Sequence, residues 1–141
     1  MQTVTLYEIE HIIFSLTRER LSFDEPIPGF ATRFPNVLES CLLAPLQTFA
    51  GKDLYSSFVE KASILFYLMV KNHPFQNGNK RVAMVTLMYV LYKNKKWIEA
   101  DTQVLYNFAV WVAGSPPMAK DEMLSYIEKF INEYMTTLKE E

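Results

Sequence analysis

Lys71-Asn72-His73-Pro74-Phe75-Gln76-Asn77-Gly78-Asn79-Lys80-Arg81 separates two segments whose apolar residues recur at three- and four-residue steps. Before it come Phe58, Ala62, Leu65, Phe66 and Met69; after it come Val82, Val85, Met88, Tyr89 and Tyr92. That period belongs to helices, so the stretch reads as a tight loop joining two of them. The first is apolar nearly all round from Ile64 to Val70, which implies burial on several sides. His73-Pro74 ends it, because a residue before proline avoids the helical region. Asn79 is expected to cap the next helix, whose core side includes Val82, Val85, Met88, Tyr89 and Tyr92. That helix runs to the lysines at 93 to 96, a cation cluster suited to a C-terminus.

The flanks extend the helical pattern. Thr5 and Glu8 have capping-box spacing ahead of Ile9, Ile12, Ile13 and Leu16, and this helix should end near Arg20. Pro26, Pro28, Gly29 and Pro35 forbid a regular helix over 24–35. A loop or short flap is expected there, with a two-stranded flap around Ile27 to Phe34 as the single strand candidate. Asn36 is expected to cap a short helix with Leu38, Leu42 and Leu43 inside and a break at Pro45. Gly51-Lys52-Asp53 reads as a turn, and Ser56 or Ser57 as the start of the helix that leads into the loop. Asp101 is expected to cap a fifth helix that stops at Gly114-Ser115-Pro116-Pro117. A sixth should begin near Met118, with Asp121 and Glu122 early and a stripe of Leu124, Ile127, Ile131, Tyr134 and Leu138. The expected architecture is all-α, a single domain over 1–141 with about six helices, a flap at about 24–36 and the loop 73–81 between two central helices.

Composition excludes several classes. At 141 residues, half of them hydrophobic, the chain can bury a real core. The apolar run Ile64 to Val70 is too short to span a membrane, and no basic-then-apolar leader opens the sequence. One cysteine, Cys41, cannot form an internal disulfide, so a reducing cytoplasmic setting is expected. A net charge of −2 argues against a general nucleic-acid binder. Locally the balance reverses. From Lys61 to Ile98, 38 residues hold no acid but seven cations: Lys61, Lys71, Lys80, Arg81, Lys93, Lys95 and Lys96.

The loop collects what a phosphate site needs. The first amides of a helix lack partners within it, and its dipole is positive there, so an anion is welcome. Gly78 lets a ligand approach the backbone, and successive amides at Gly78, Asn79 and Lys80 can form an anion nest. Arg81 offers a bidentate fork and Lys80 a mobile point charge. His73, at the other lip, is suited to take a proton from an incoming hydroxyl, while Phe75 should point into the core and anchor the loop. Each feature alone has a blander reading: a dipole-stabilising histidine, an ordinary Asn-Gly turn, a solvated Lys-Arg face, a core phenylalanine. Their concentration within nine residues makes coincidence less attractive, and on the residues alone both readings stay open.

The run His73-Pro-Phe-Gln-Asn-Gly-Asn-Lys-Arg81 resembles the signature loop of the Fic/Doc family, most closely its Doc (death-on-curing) branch. Pro28-Gly-Phe30, Asn36-Val-Leu-Glu-Ser-Cys-Leu-Leu43, Phe49-Ala-Gly51, Tyr55 and Glu60-Lys-Ala62 resemble the same branch in the same order, so the similarity covers roughly Thr5 to Trp97. The resemblance implies His73 as base and phosphate binding by Gly78, Asn79, Lys80 and Arg81. It implies ATP or another nucleoside triphosphate as co-substrate, with Mg²⁺ bridging its phosphates. The flap, through Ile27, Gly29 and Arg33, would dock a target protein segment. A protein substrate such as a translation factor, and a toxin–antitoxin pairing, are also implied. Lys80 stands where AMP-transferring members have a second glycine, and Met84 where they have another arginine; both favour phosphate transfer over AMP transfer. Asn77 stands at the usual acidic position, a neutral and weak ligand for a hard cation. The family's inhibitory helix has no match here: Ser15 to Glu19 is followed by Arg20, and Thr136 to Glu140 by Glu141. Restraint would then come from a partner. The competing readings are AMP transfer to a protein hydroxyl, and a non-catalytic nucleotide- or partner-binding module.

Overall fold

Six helices form where apolar periodicity and local capping coincide. They are seen in a computed structural model that describes residues 1–20 and 27–138, the side chain of Arg20 excepted. Helix α1 comprises Leu6–Glu8, a π-helical turn Ile9–Ile13, and Phe14–Arg20. Its capping box is complete: Glu8 N–H donates to Thr5 Oγ1, and Thr5 N–H donates to the Glu8 carboxylate at 2.9 Å. The π turn still delivers Ile9 and Ile13 to the core.

The expected two-stranded flap is not present among the described residues. Phe30–Thr32 form a 3-10 turn instead. Both the amide and the hydroxyl of Thr32 donate to the Gly29 carbonyl, at 3.0 and 2.6 Å, and fold the chain back locally. Residues 24–26 of the expected flap lie outside the described residues. Helix α2 is Pro35–Leu43, with Pro35 at its first position and Phe34 as cap, so Asn36 sits inside the first turn rather than capping it. Leu38, Cys41 and Leu42 are buried, but Leu43 faces out, 62 % exposed, because the helix packs along one side only. Pro45 does not break the chain into loop; it enters a 3-10 turn, Ala44–Leu46.

Strands β1 (Thr48–Phe49) and β2 (Lys52–Asp53) pair in a small hairpin. Its turn is Ala50-Gly51, both left-handed (φ 53° and 79°), so Lys52-Asp53 is strand rather than turn. Helix α3 (Phe58–Lys71) is capped by Ser57, which accepts Glu60 N–H at 3.0 Å. Helix α4 is Asn79–Lys93. Strand β3 (Lys96–Ile98) follows, then α5 (Thr102–Ala113), capped by Asp101 at 2.9 Å from Val104 N. A 3-10 turn, Pro117–Ala119, delays the start of α6 (Lys120–Tyr134) past Met118. Strand β4 (Met135–Thr137) then pairs antiparallel with β3, so Leu138 lies beyond α6 and not on its stripe.

Helices α3 and α4 form the centre, with α5 and α6 packed on α3, and α1 against α4. Phe66, Phe108 and Phe130 stack across α3, α5 and α6, the last two rings nearly parallel at 3.8 Å. Tyr92 is 59 % exposed and leaves the core side of α4 that its spacing suggested. The molecule is all-α, as expected; the two minor strand pairs among the described residues are not expected from the sequence, whose single strand candidate is the flap.

Candidate active site at the loop between helices α3 and α4

The loop is held from below. Phe75 is 1 % exposed and packs on Phe14 of α1 at 5.0 Å and on Phe30 at 6.4 Å, the expected anchor. Asn79 does not cap α4; it is its first residue, and left-handed Gly78 (φ 72°, ψ 15°) is the cap. The Asn79 side chain turns back across the loop. Its Oδ1 accepts Phe75 N–H at 3.0 Å and its Nδ2 donates to the Phe75 carbonyl at 2.9 Å. These two bonds fix the amide's orientation and tie the loop's middle to the helix start.

The helical ladder begins with Val82 N–H donating to the Gly78 carbonyl at 3.0 Å. The backbone N–H groups before it therefore belong to the positive end of α4. A left-handed Gly78 followed by helical residues is the backbone pattern of an anion nest. His73 stands at the opposite lip. It is exposed, and its backbone is left-handed (φ 51°), a conformation uncommon for a residue with a side chain. Its Nδ1 lies 3.5 Å from Asn79 Nδ2, so the imidazole sits beside the α4 start rather than in packed hydrocarbon.

The flap residues reach the same place by backbone. Phe34 N–H donates to the Pro74 carbonyl at 2.9 Å. Arg33 lies over the Phe30 ring at 4.2 Å and donates to the Phe30 carbonyl. Gly29 is exposed and extended, and Ile27 is partly buried against the core.

Other side chains are engaged elsewhere. Arg81, 8 % exposed, donates through Nη2 to the Thr17 carbonyl at 2.7 Å and so fastens α4 to α1. Met84 is fully buried. Of the seven cations in the acid-free window, Arg81 and four others hold partners away from the loop. Lys61 bonds Asp53 and the Tyr55 carbonyl; Lys71 bonds the carbonyls of Ala113 and Ser115. Lys93 bonds Glu8 and the Thr3 carbonyl, and Lys96 bonds Thr137. Of these, Lys61 and Lys93 meet carboxylates, whereas Lys71 and Lys96 bond neutral oxygens and keep their charge; Lys80, at the α4 start, is half-buried.

At the loop, the donor at the usual acidic position is an amide and not a carboxylate. Asn77 is exposed and brings one neutral amide oxygen, and among the described residues no three His, Cys, Asp or Glu side chains gather to hold a metal.

Sequence reasoning missed a cleft on the α1 side of the aromatic cluster under the loop. Its volume is about 410 Å³, and it is lined by Glu10, His11, Phe14, Ser15, Arg18, Glu19 and Phe30, sharing Phe14 and Phe30 with the cluster under the loop. The signal was present: Glu10, Phe14 and Arg18, like His11, Ser15 and Glu19, are four apart and share a helix face.

A protein-family model described as the Fic/DOC family matches residues 2–91. No curated protein and no solved structure matches the chain. Among the described residues no helix is long and apolar enough to cross a membrane.

Proposed function

Because this chain belongs to the Fic/DOC family, whose members are in general nucleotide-dependent transferases acting on protein targets, we propose that it moves the γ-phosphate of ATP or another nucleoside triphosphate to a Ser or Thr hydroxyl of a protein. The observation that carries this reading is the exposed His73 held in a left-handed backbone beside the positive end of α4. His73 takes the proton of the incoming hydroxyl as its oxygen bonds to the γ-phosphorus. The bond from that phosphorus to the β–γ bridging oxygen breaks, and the nucleoside diphosphate leaves. The backbone around Gly78, Asn79 and Lys80 receives the phosphate oxygens, Lys80 offsets their charge, and Arg81 adds positive charge from behind. Such transfer depends on positioning and charge stabilisation more than on covalent chemistry by the protein.

Two features support phosphate over AMP transfer. Lys80 occupies the position of the second glycine in AMP-transferring relatives, and the position of their further arginine holds Met84, packed in the core. The backbone bond from Phe34 to Pro74 supports target docking beside His73. The 3-10 turn over Phe30–Thr32 leaves the residues before it, among them extended Gly29, for strand addition. The Doc resemblance further suggests a translation factor as target and an antitoxin as restraint.

Incubating the protein with bacterial lysate and ATP labelled at either the α or the γ position tests the reading. Label reaching a lysate protein from the γ position alone, and lost with His73→Ala, is the expected result. Label arriving from the α position means AMP transfer instead. ATP binding with no transfer, and transfer gained in Asn77→Asp, means a binding module that lacks its metal ligand.

A further inference from the structure

On the order of 15 Å along α3 from the loop, by the rise of a helix, lies a second cleft unrelated to the loop chemistry. Its volume is about 230 Å³, and it is lined by Leu54, Tyr55, Glu60, Ser63, Asp121, Leu124, Ser125 and Glu128. Glu60 and Ser63 share one face at the start of α3. Asp121, Leu124, Ser125 and Glu128 share the opposing face of α6. Three carboxylates line it, and no Lys, Arg or His does. The nearby ammonium of Lys61 is turned to Asp53 and the Tyr55 carbonyl. The acids feel one another: burial and then the charge of Glu60 push the Glu128 carboxyl up, and burial and then Asp121 push the Tyr55 hydroxyl up.

Ser63 supplies an independent observation. It is 1 % exposed, and its Oγ has no hydrogen-bond partner. Buried helical hydroxyls elsewhere in this molecule satisfy themselves by donating to the carbonyl four residues back, as Thr17 does to Ile13 and Thr86 to Val82, both at 2.6 Å. Ser63 does not, and it lines the acidic cleft. A buried polar atom left unsatisfied asks for a partner that the protein does not supply.

The carboxylates do not converge as a metal cage does, since no three acidic or His/Cys side chains gather closely enough among the described residues. A bare divalent ion is therefore a poor occupant. A primary ammonium on a carbon chain fits better. Its three N–H donors can reach several separated acceptors, and Leu54 and Leu124 offer apolar surface to its methylene stem. We infer that the cleft between α3 and α6 binds a primary alkylammonium group, held by Glu60, Glu128 and Ser63 Oγ with Asp121 at the rim. The group can come from a free polyamine or from a lysine side chain of a partner protein.

Calorimetric titration with spermidine, with N-acetyl-lysine methylamide and with MgCl₂, at matched ionic strength, tests this. Saturable binding at one site per chain is expected for spermidine, the lysine derivative or both; which of them binds identifies the source. The Glu60→Gln/Glu128→Gln double variant should weaken binding about tenfold or more, the loss expected for hydrogen bonds to charged groups. Ser63→Ala should weaken it as well. A melting temperature of the double variant well above the titration temperature will show that weaker binding is not unfolding. No saturable binding of either amine, saturation by Mg²⁺ alone, or undiminished amine binding in the double variant overturns the assignment.

Discussion

His73 holds a left-handed backbone that glycine adopts freely and histidine does not. Such strain, on the order of 1–3 kcal/mol, persists where surrounding structure over-determines it; here the neighbours are buried Pro74 and Phe75 and the bracketing Asn79. His73→Gly should therefore raise stability by up to about 1 kcal/mol, measured by urea denaturation, while abolishing transfer. His73→Ala keeps the strain and should leave stability near wild type. A glycine variant less stable than the alanine variant would mean that the conformation carries no strain. Asn79→Ala removes both bonds to the Phe75 backbone in a buried place and should cost about 1–3 kcal/mol. The motif residues themselves were legible in the sequence, since their chemistry is local. What Asn79 and Arg81 do was not: one ties back four residues to Phe75, and the other reaches the carbonyl of Thr17, 64 residues away. Neither contact leaves a trace in spacing.

The elements divide the same way. Caps whose partner lies three residues on, at Thr5, Ser57 and Asp101, form as their sequence pattern indicates. Leu43 and Tyr92 fit a helical period yet face outward, because period identifies a helix but not what covers its edges. The link between α1 and α4 gives a pH prediction. Tyr89 donates to Glu8 Oε2, and Lys93 donates to Glu8 Oε1 at 2.9 Å. Burial pushes the Glu8 carboxyl up, but the hydrogen bonds from Tyr89, Lys93 and Thr5 outweigh it and leave it below its ordinary value of 4.5. The stability Glu8 adds is present above pH 4.5 and is lost as pH falls through its lowered folded value. Tyr89 is shifted the other way, from 10.0 up to about 12, by burial and then by Glu8. Its contribution is complete below pH 10.0 and is lost as pH rises through about 12. Tyr89→Phe should flatten the alkaline limb of a stability–pH curve and make the acid limb shallower. Unchanged limbs would remove this network from the stability account.

At the scale of the whole molecule, the near-continuous apolar runs of α3 and α4 already indicated central, buried helices, and the all-α class followed from them. Folding brings acids to two cations of the acid-free window: Lys61 pairs with Asp53 and Lys93 with Glu8. Lys71, by contrast, donates to the neutral carbonyls of Ala113 and Ser115 and keeps its charge. At the loop itself, the positively polarised start of α4 faces the exposed imidazole of His73. Titrating ¹⁵N-labelled protein with a non-hydrolysable ATP analogue tests that arrangement most directly. The account predicts that the largest shifts fall on the backbone amides of Gly78, Asn79 and Lys80 and on the His73 ring, saturating together. Saturable shifts confined to other parts of the molecule, or none at all, would contradict it.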